Sequence, residues 1–267
     1  MKLELKNLYL GFGKKVILKK LNLQMATGKL NLIVGKSGSG KTTLLNAIAG
    51  LNKPLEGNIL IDRVKRPDDL KFSYVCQNPE ILFFNKTVYD EIAYAFRANN
   101  VPEDAILERV KENMNYWWLD HSKVAQMDPR ALSGGEQRRV ALAACTVYQP
   151  GIMLFDEPLA SLDSYTKAII VECIKNIAKM RLVIVVTHQP GAFLDSDTNV
   201  VLLHNHEALQ MTGNDFLKSA LKNNSLYPLP EWYATVMEPF ADVPRELPML
   251  KAQEVFDFLQ AIQQGVI

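Results

Sequence analysis

Gly35-Lys36-Ser37-Gly38-Ser39-Gly40-Lys41-Thr42 decides how the rest of the chain is read. It fits the phosphate-cradling pattern G-x-x-x-x-G-K-[ST] at every position. Its glycines let backbone N–H groups turn inward around an anion. Leu30-Asn31-Leu32-Ile33-Val34 before it reads as a short buried strand, and residues 42–49 after it as a helix stopped by Gly50. A helix start adds unsatisfied amides and a positive dipole end. Gly35, Lys36, Ser37, Gly38, Ser39, Gly40, Lys41, Thr42 and Thr43 are therefore the expected binding loop. Lys41 is expected to reach the β- and γ-phosphates of a nucleotide, and Thr42 to place a hydroxyl on Mg²⁺.

Outward from this loop, three more apolar strands each end in polar residues. Residues 72–76 run into Gln77, 152–155 into Asp156-Glu157, and 182–186 into Thr187-His188. Near-continuous Val/Ile/Leu/Phe runs separated by helical stretches suit a parallel sheet covered on both faces. Ligands in such sheets bind beyond the carboxyl ends of the strands. The glycine loop, Gln77, Asp156-Glu157 and His188 are thus expected on one rim. Asp156 is suited to hold Mg²⁺, and Glu157, one residue on, to orient or deprotonate an attacking water.

The flanks differ in character. Leu3, Leu5, Leu8 and Leu10, then Leu21, Leu23 and Met25, alternate with polar residues and read as antiparallel strands at an edge. Residues 200–209 read as a hairpin around Asn205. Between Gln77 and Ala144 the strand pattern stops. Residues 87–97 and 103–119 read as helices, with Val88, Ile92 and Phe96, then Ile106, Val110, Met114 and Trp117, at helical spacing. After about residue 213 the composition shifts, with five of the thirteen prolines between Pro228 and Pro248. A final amphipathic helix is expected near 250–263.

Composition narrows the function classes. Thirty basic against twenty-nine acidic residues leave a net charge of +1, unlike a protein that coats nucleic acid. Cys76, Cys145 and Cys173 are far apart and form no CxxC pair, so they read as small apolar residues in a reducing compartment. His204 and His206 have no readable third metal ligand. No apolar run approaches the roughly 20 residues of a spanning helix. A membrane role therefore requires other, spanning subunits.

Leu132-Ser133-Gly134-Gly135-Glu136-Gln137-Arg138-Arg139 adds the last motif. Ser133 and Glu136 fit a capping box opening a helix over 137–144. A capping box does not need two glycines between its members. Gly134 and Gly135 leave the helix start uncovered, so phosphate oxygens can approach its amides. Together with the phosphate loop and the carboxylate pair, this sequence resembles an ATP-binding-cassette (ABC) ATPase, with the LSGGE run as the signature motif.

The resemblance covers about residues 1–215 and implies the rest of the assignment. Gln77 matches the Q-loop glutamine, Ser161-Leu162-Asp163 the D-loop and His188 the switch histidine. Phe12 takes the position whose ring stacks on adenine, where tyrosine is commoner. The implied fold is α/β: a P-loop NTPase ABC cassette with a mainly parallel core sheet, an antiparallel β edge and a short C-terminal extension over 216–267. A helical subdomain over about 78–145 is inserted into it. Implied catalytic residues are Glu157, His188 and Gln77; implied Mg²⁺ contacts are Thr42, Gln77 and Asp156. Ser133, Gly134, Gly135 and Asp163 are implied contacts to ATP held by a second cassette, as homodimer or heterodimer.

Residues 77–96, beginning Gln77-Asn78-Pro79-Glu80 and including Phe83-Phe84, Thr87-Val88 and Glu91-Ile92, are similar to the energy-coupling factor (ECF) transporter ATPases. Those power vitamin and metal uptake. Leu82 replaces a common glutamine, and Tyr94-Ala95-Phe96 departs from the usual ending. The implied protein sits peripherally on the cytoplasmic side of the cell membrane, with a transmembrane coupling subunit and a substrate-binding membrane subunit, and without nucleic acid. Phe83 and Phe84 are expected to form an apolar groove for a partner helix. Asp90 and Glu91, off the core stripe, are expected to pair with its arginine. The alternatives are a classical binding-protein-dependent importer, or a soluble ABC ATPase of DNA repair, translation or cofactor assembly.

Overall fold

Alternating leucines at the start of the chain place one face of two strands inward, β1 (Lys2–Phe12) and β2 (Lys15–Ala26). The computed structural model describes residues 1–13, 15–67 and 70–222. Next come β3 (Asn31–Gly35), α1 (Lys41–Ala49), the hairpin β4 (Glu56–Ile61) and β5 (Val64–Lys65), and β6 (Phe72–Val75). Four helices follow without an intervening strand: α2 (Val88–Arg97), α3 (Glu103–Tyr116), α4 (His121–Val124) and α5 (Gly134–Thr146). The chain then returns through β7 (Ile152–Asp156), α6 (Ser164–Ala178), β8 (Leu182–Val186), β9 (Asn199–His204), β10 (Glu207–Thr212) and α7 (Gly213–Lys222). The expected helix near 250–263 and nearly all of the 216–267 extension lie outside the described residues.

Two sheets form. The antiparallel one runs β2-β1-β4-β5, and the six-stranded one runs β10-β9-β3-β8-β7-β6. In the larger sheet every pairing is parallel except β10 on β9. Each central strand buries both faces. On β7, Ile152 and Leu154 join the core shared with α1 and the antiparallel sheet, while Met153 and Phe155 join the core beneath α2, α3, α5 and α6. This two-sided burial is why these strands read as continuous apolar runs rather than alternations. The hairpin expected around Asn205 turns through Asn205 (φ 48°) and His206 (φ 69°), the left-handed pair of a tight hairpin. His206 Nδ1 lies 2.8 Å from the Ile17 carbonyl oxygen and ties this turn to β2.

Two helix ends differ from expectation. α3 stops at Tyr116 rather than 119, because Trp118 turns left-handed at φ 58°. Trp117 is fully buried, and its indole N–H donates to Thr146 Oγ1 at 3.0 Å, which satisfies an otherwise orphaned donor. α5 starts at Gly134 rather than 137. The capping box begins at Ser133, so both glycines fall in the first turn.

Candidate functional site

Parallel pairing aligns the strand ends. Val75 pairs with Phe155, Asp156 with Val186, and β3 ends at Gly35. The groups that follow these strands must therefore emerge together. They do: Ser37, Gly38, Gly40, Lys41, Thr42, Thr43, Gln77, Asp156, Glu157 and His188 line one cavity of about 690 Å³. A larger cavity, about 1070 Å³, lies along α6 and Gly28–Leu30. The smaller one brings together the groups suited to phosphate chemistry.

Local geometry explains the loop. Gly40 caps α1 at φ 98°, and a Cβ there would meet Ile17 Cγ2 and Leu18 Cγ at 3.0 Å. Only glycine fits both the left-handed backbone and the space. Lys41 Nζ donates to the carbonyl oxygens of Gly35 at 2.8 Å and Lys36 at 3.1 Å. The ammonium thus lies across the loop. Gly35, Lys36 and Ser39 build the loop without lining the cavity.

Thr42 Oγ1 donates to Asp156 Oδ2 at 3.1 Å. Burial pushes the Asp156 carboxyl up from its ordinary pKa; the Thr42 bond opposes this, and the neighbouring Glu157 adds to it. A buried carboxylate so destabilised gains from a cation. One hydroxyl, one carboxylate and the Gln77 amide in the same cavity are few donors for a hard cation, so phosphate and water oxygens would supply the others. Among the described residues no cluster of three His, Cys, Asp or Glu forms a metal cage, so an ion held here depends on the nucleotide as well. The residues present fit Mg²⁺.

Glu157 takes a left-handed backbone (φ 50°), fixed by its N–H donating to the Val186 carbonyl at 2.9 Å. Non-glycine residues at positive φ are uncommon and concentrate at functional sites. Glu157 Oε2 sits 2.9 Å from His188 Nδ1 and accepts the His188 N–H at 3.3 Å. A carboxylate and an imidazole are thereby paired at the cavity wall.

Ser133, Gly134, Gly135 and Asp163 lie outside this cavity, at the starts of α5 and α6. Ser133 accepts the Glu136 N–H, and Glu136 Oε2 accepts from Ser133 N and Oγ at 3.1 and 2.6 Å. Asp163 caps α6 through Thr166 N at 2.9 Å. The two starts are packed together: a Cβ on Gly135 would meet Thr166 Oγ1 at 2.7 Å. Phe12 is not drawn into the cavity. It is 58% exposed, and Ile17 lines the wall instead.

Two expectations for the segment after Gln77 need correction. Phe83 is buried in the core, so only Phe84 remains exposed, edge-on to Tyr94 at 4.7 Å. Glu91 is also buried. Its Oε2 accepts Phe84 N, Asn85 N and Asn85 Nδ2 at 3.2, 2.8 and 3.2 Å, because the chain before α2 doubles back over the helix. Glu91 thus shapes its own loop rather than awaiting a partner's arginine. Asp90 pairs internally with Arg97 at 2.9 Å. Replacing Glu91 with alanine leaves two backbone donors without their acceptor and is expected to destabilise the fold by about 2 kcal/mol. Chemical denaturation checks this; an unchanged midpoint would deny Glu91 that role.

The profile of the ABC transporter family matches residues 18–160. The energy-coupling factor transporter ATP-binding protein EcfA2 of Clostridium tetani is 34% identical over 203 residues, 72% of this chain and 70% of its own. The Fe(3+) ions import ATP-binding protein FbpC of Vibrio cholerae is also 34% identical, over 74% of this chain but 58% of the longer relative. The dimeric bacterial ABC transporter cassette MJ0796 superposes with a TM-score of 0.66 at 28% identity, covering 79% of this chain and 98% of that one. The cbiO1 protein of Clostridium perfringens, part of the ABC transporter complex cbiONQ, gives a TM-score of 0.73 over 91% of this chain and 96% of its own; at 24% identity it bears on the fold alone. A family profile running from β2 through the phosphate loop and the start of α5 to the Asp156–Glu157 pair, on a fold shared with solved cassettes, makes this chain a member of the ABC transporter family, an ATP-hydrolysing cassette.

Proposed function

We propose that this chain is the ATPase subunit of an importer of the energy-coupling factor type, driving vitamin or metal-ion uptake through separate membrane subunits. The observation that carries the chemistry is the shared cavity, lined by the phosphate loop together with Gln77, Asp156, Glu157 and His188. Lys41 and the loop amides bind the β- and γ-phosphates, Phe12 stacks on adenine, and Glu157 orients the water. His188 holds the γ-phosphate side, with Glu157 fixing its ring. Thr42, Asp156 and Gln77 hold Mg²⁺, which when bound offsets charge on the phosphate oxygens. Positioning and charge stabilisation are the main catalytic terms in such transfers.

The signature residues act on a second cassette. Ser133, Gly134, Gly135 and Asp163 lie outside their own cavity, so they serve a nucleotide held by a partner copy or a homologous ATPase. The cassette over residues 1–215 performs this cycle, and the 216–267 extension serves cassette–cassette contact. Ile81, Leu82, Phe84 and Tyr94 are exposed in the segment that follows Gln77, and this apolar surface suits a helix of the membrane subunit. No helix among the described residues is long and apolar enough to cross a membrane, which agrees with peripheral attachment on the cytoplasmic side of the cell membrane.

A classical binding-protein-dependent importer is the second reading, favoured by the equal identity to the ferric-ion relative. Purification from native membranes in mild detergent separates the two. Co-purification of a coupling subunit and a small substrate-binding membrane subunit is expected. Capture with a permease pair and a soluble binding protein supports the second reading, and recovery with ribosomes or DNA would overturn both.

A further inference from the structure

Arg138 lies on the first turns of α5 and is 2% exposed, yet no step described above uses it. Its guanidinium reaches two other segments. Nη1 donates to the carbonyl oxygen of Gln77 at 2.7 Å. Nη2 lies 3.5 Å from both Glu80 Oε1 and the Ala160 carbonyl oxygen. Nε faces Glu80 Oε2 at 3.4 Å without the alignment of a hydrogen bond. The guanidinium is thus held firmly at Gln77 and more loosely at Glu80 and Ala160.

Burying a guanidinium is expensive unless it is paired, and an apolar side chain of similar volume often stabilises as well or better. Core packing alone therefore does not account for arginine here. The segments it touches carry, or lead to, residues assigned above to nucleotide chemistry. Gln77 lines the cavity. Glu80 sits in the turn Pro79–Leu82, which carries the exposed Ile81 and Leu82. Ala160 precedes Ser161, itself left-handed at φ 60°, and leads to Asp163. The same helix carries Ser133, Gly134 and Gly135 at its start, and Gly135 already abuts Thr166.

We propose that Arg138 is a positioning residue for ATP hydrolysis, holding the Gln77 backbone, the Glu80 turn and the Ala160–Asp163 segment in one register. A partner helix pressing on Ile81 and Leu82 then moves Gln77 and Asp163 through one side chain. The inference rests on the reading given under Proposed function.

The test uses the complex purified with its membrane subunits, in wild type, Arg138→Lys, Arg138→Gln and Glu80→Gln forms. Lysine keeps a charge opposite Glu80, but one ammonium cannot hold two separated carbonyls and a carboxylate as the fork does. Arg138→Lys is expected to melt near the wild-type temperature and to lose about tenfold in kcat with KM for ATP unchanged. Arg138→Gln is expected to lose as much kcat and to melt lower. Wild-type kcat in Arg138→Lys would overturn the proposal, as would a loss that merely tracks lowered nucleotide occupancy. If neither arginine variant assembles, Glu80→Gln decides, since it keeps the Gln77 bond and removes the charge pair. Reduced kcat at unchanged KM supports the proposal, and unchanged kcat overturns it. A wild-type complex without ATPase activity would instead remove the functional reading beneath it.

Discussion

Replacing Glu157 with glutamine is expected to lower ATP turnover by at least about a hundredfold while leaving nucleotide affinity near wild type. The reason lies in what the substitution keeps. Glutamine preserves side-chain length and one acceptor oxygen, so the left-handed turn anchored on Val186 and the contact with the His188 N–H persist. Asp156 and Thr42, proposed above to hold Mg²⁺, are untouched. What disappears is the negative charge proposed above to orient the attacking water, together with the carboxylate 2.9 Å from His188 Nδ1. Phosphate release and equilibrium ATP binding, measured on the same assembled complex, check this. Wild-type turnover would remove Glu157 from the chemistry.

Lys41→Ala has the opposite signature. Its ammonium spans the Gly35 and Lys36 carbonyls and is the side-chain cation of the phosphate loop nearest the start of α1. Charge-assisted hydrogen bonds to phosphate are among the strong ones. Losing them is expected to weaken ATP binding by roughly tenfold to a hundredfold. Alanine is a good helix former at the first helical position, so the fold is expected to survive. Titration with a fluorescent ATP analogue gives the comparison. Binding as tight as wild type would place the phosphates elsewhere. The two variants together separate holding the nucleotide from cleaving it.

The central sheet and the rim were legible in the sequence because each rests on a local, strongly patterned signal. Apolar runs such as 152–155 and 182–186 need both faces covered, and the polar residue after each must fall at the same sheet edge. The hairpin β4–β5 carried no such signal. In β4 only Ile59 and Ile61 are buried, and β5 has two exposed residues, so a pattern of alternation is too short to see. α6 buries Ile169, Ile170, Cys173 and Ile174, whose helical spacing is visible only once the flanking strands β7 and β8 bound the segment.

Side-chain roles in the inserted helices were least legible. Glu91 stands three residues after Val88, so helical spacing places it on the buried face despite its charge, and the chain folded back over α2 supplies the three donors that satisfy it there. Phe83 and Phe84 are adjacent in sequence yet one enters the core and the other remains outside. Arg138 is one of two arginines beside the signature run, and sequence gives no reason to choose between them. Its partners come from segments 61 and 22 positions away, a proximity only the fold creates.

Magnesium-dependent ATP hydrolysis by the complex purified from native membranes with all its companion subunits most directly tests whether this cassette holds and cleaves the nucleotide. The expected result is phosphate release that requires Mg²⁺ and ceases in the Glu157→Gln form while ATP stays bound. A complex that shows no Mg²⁺-dependent retention of adenine nucleotide, with every subunit present, would contradict it.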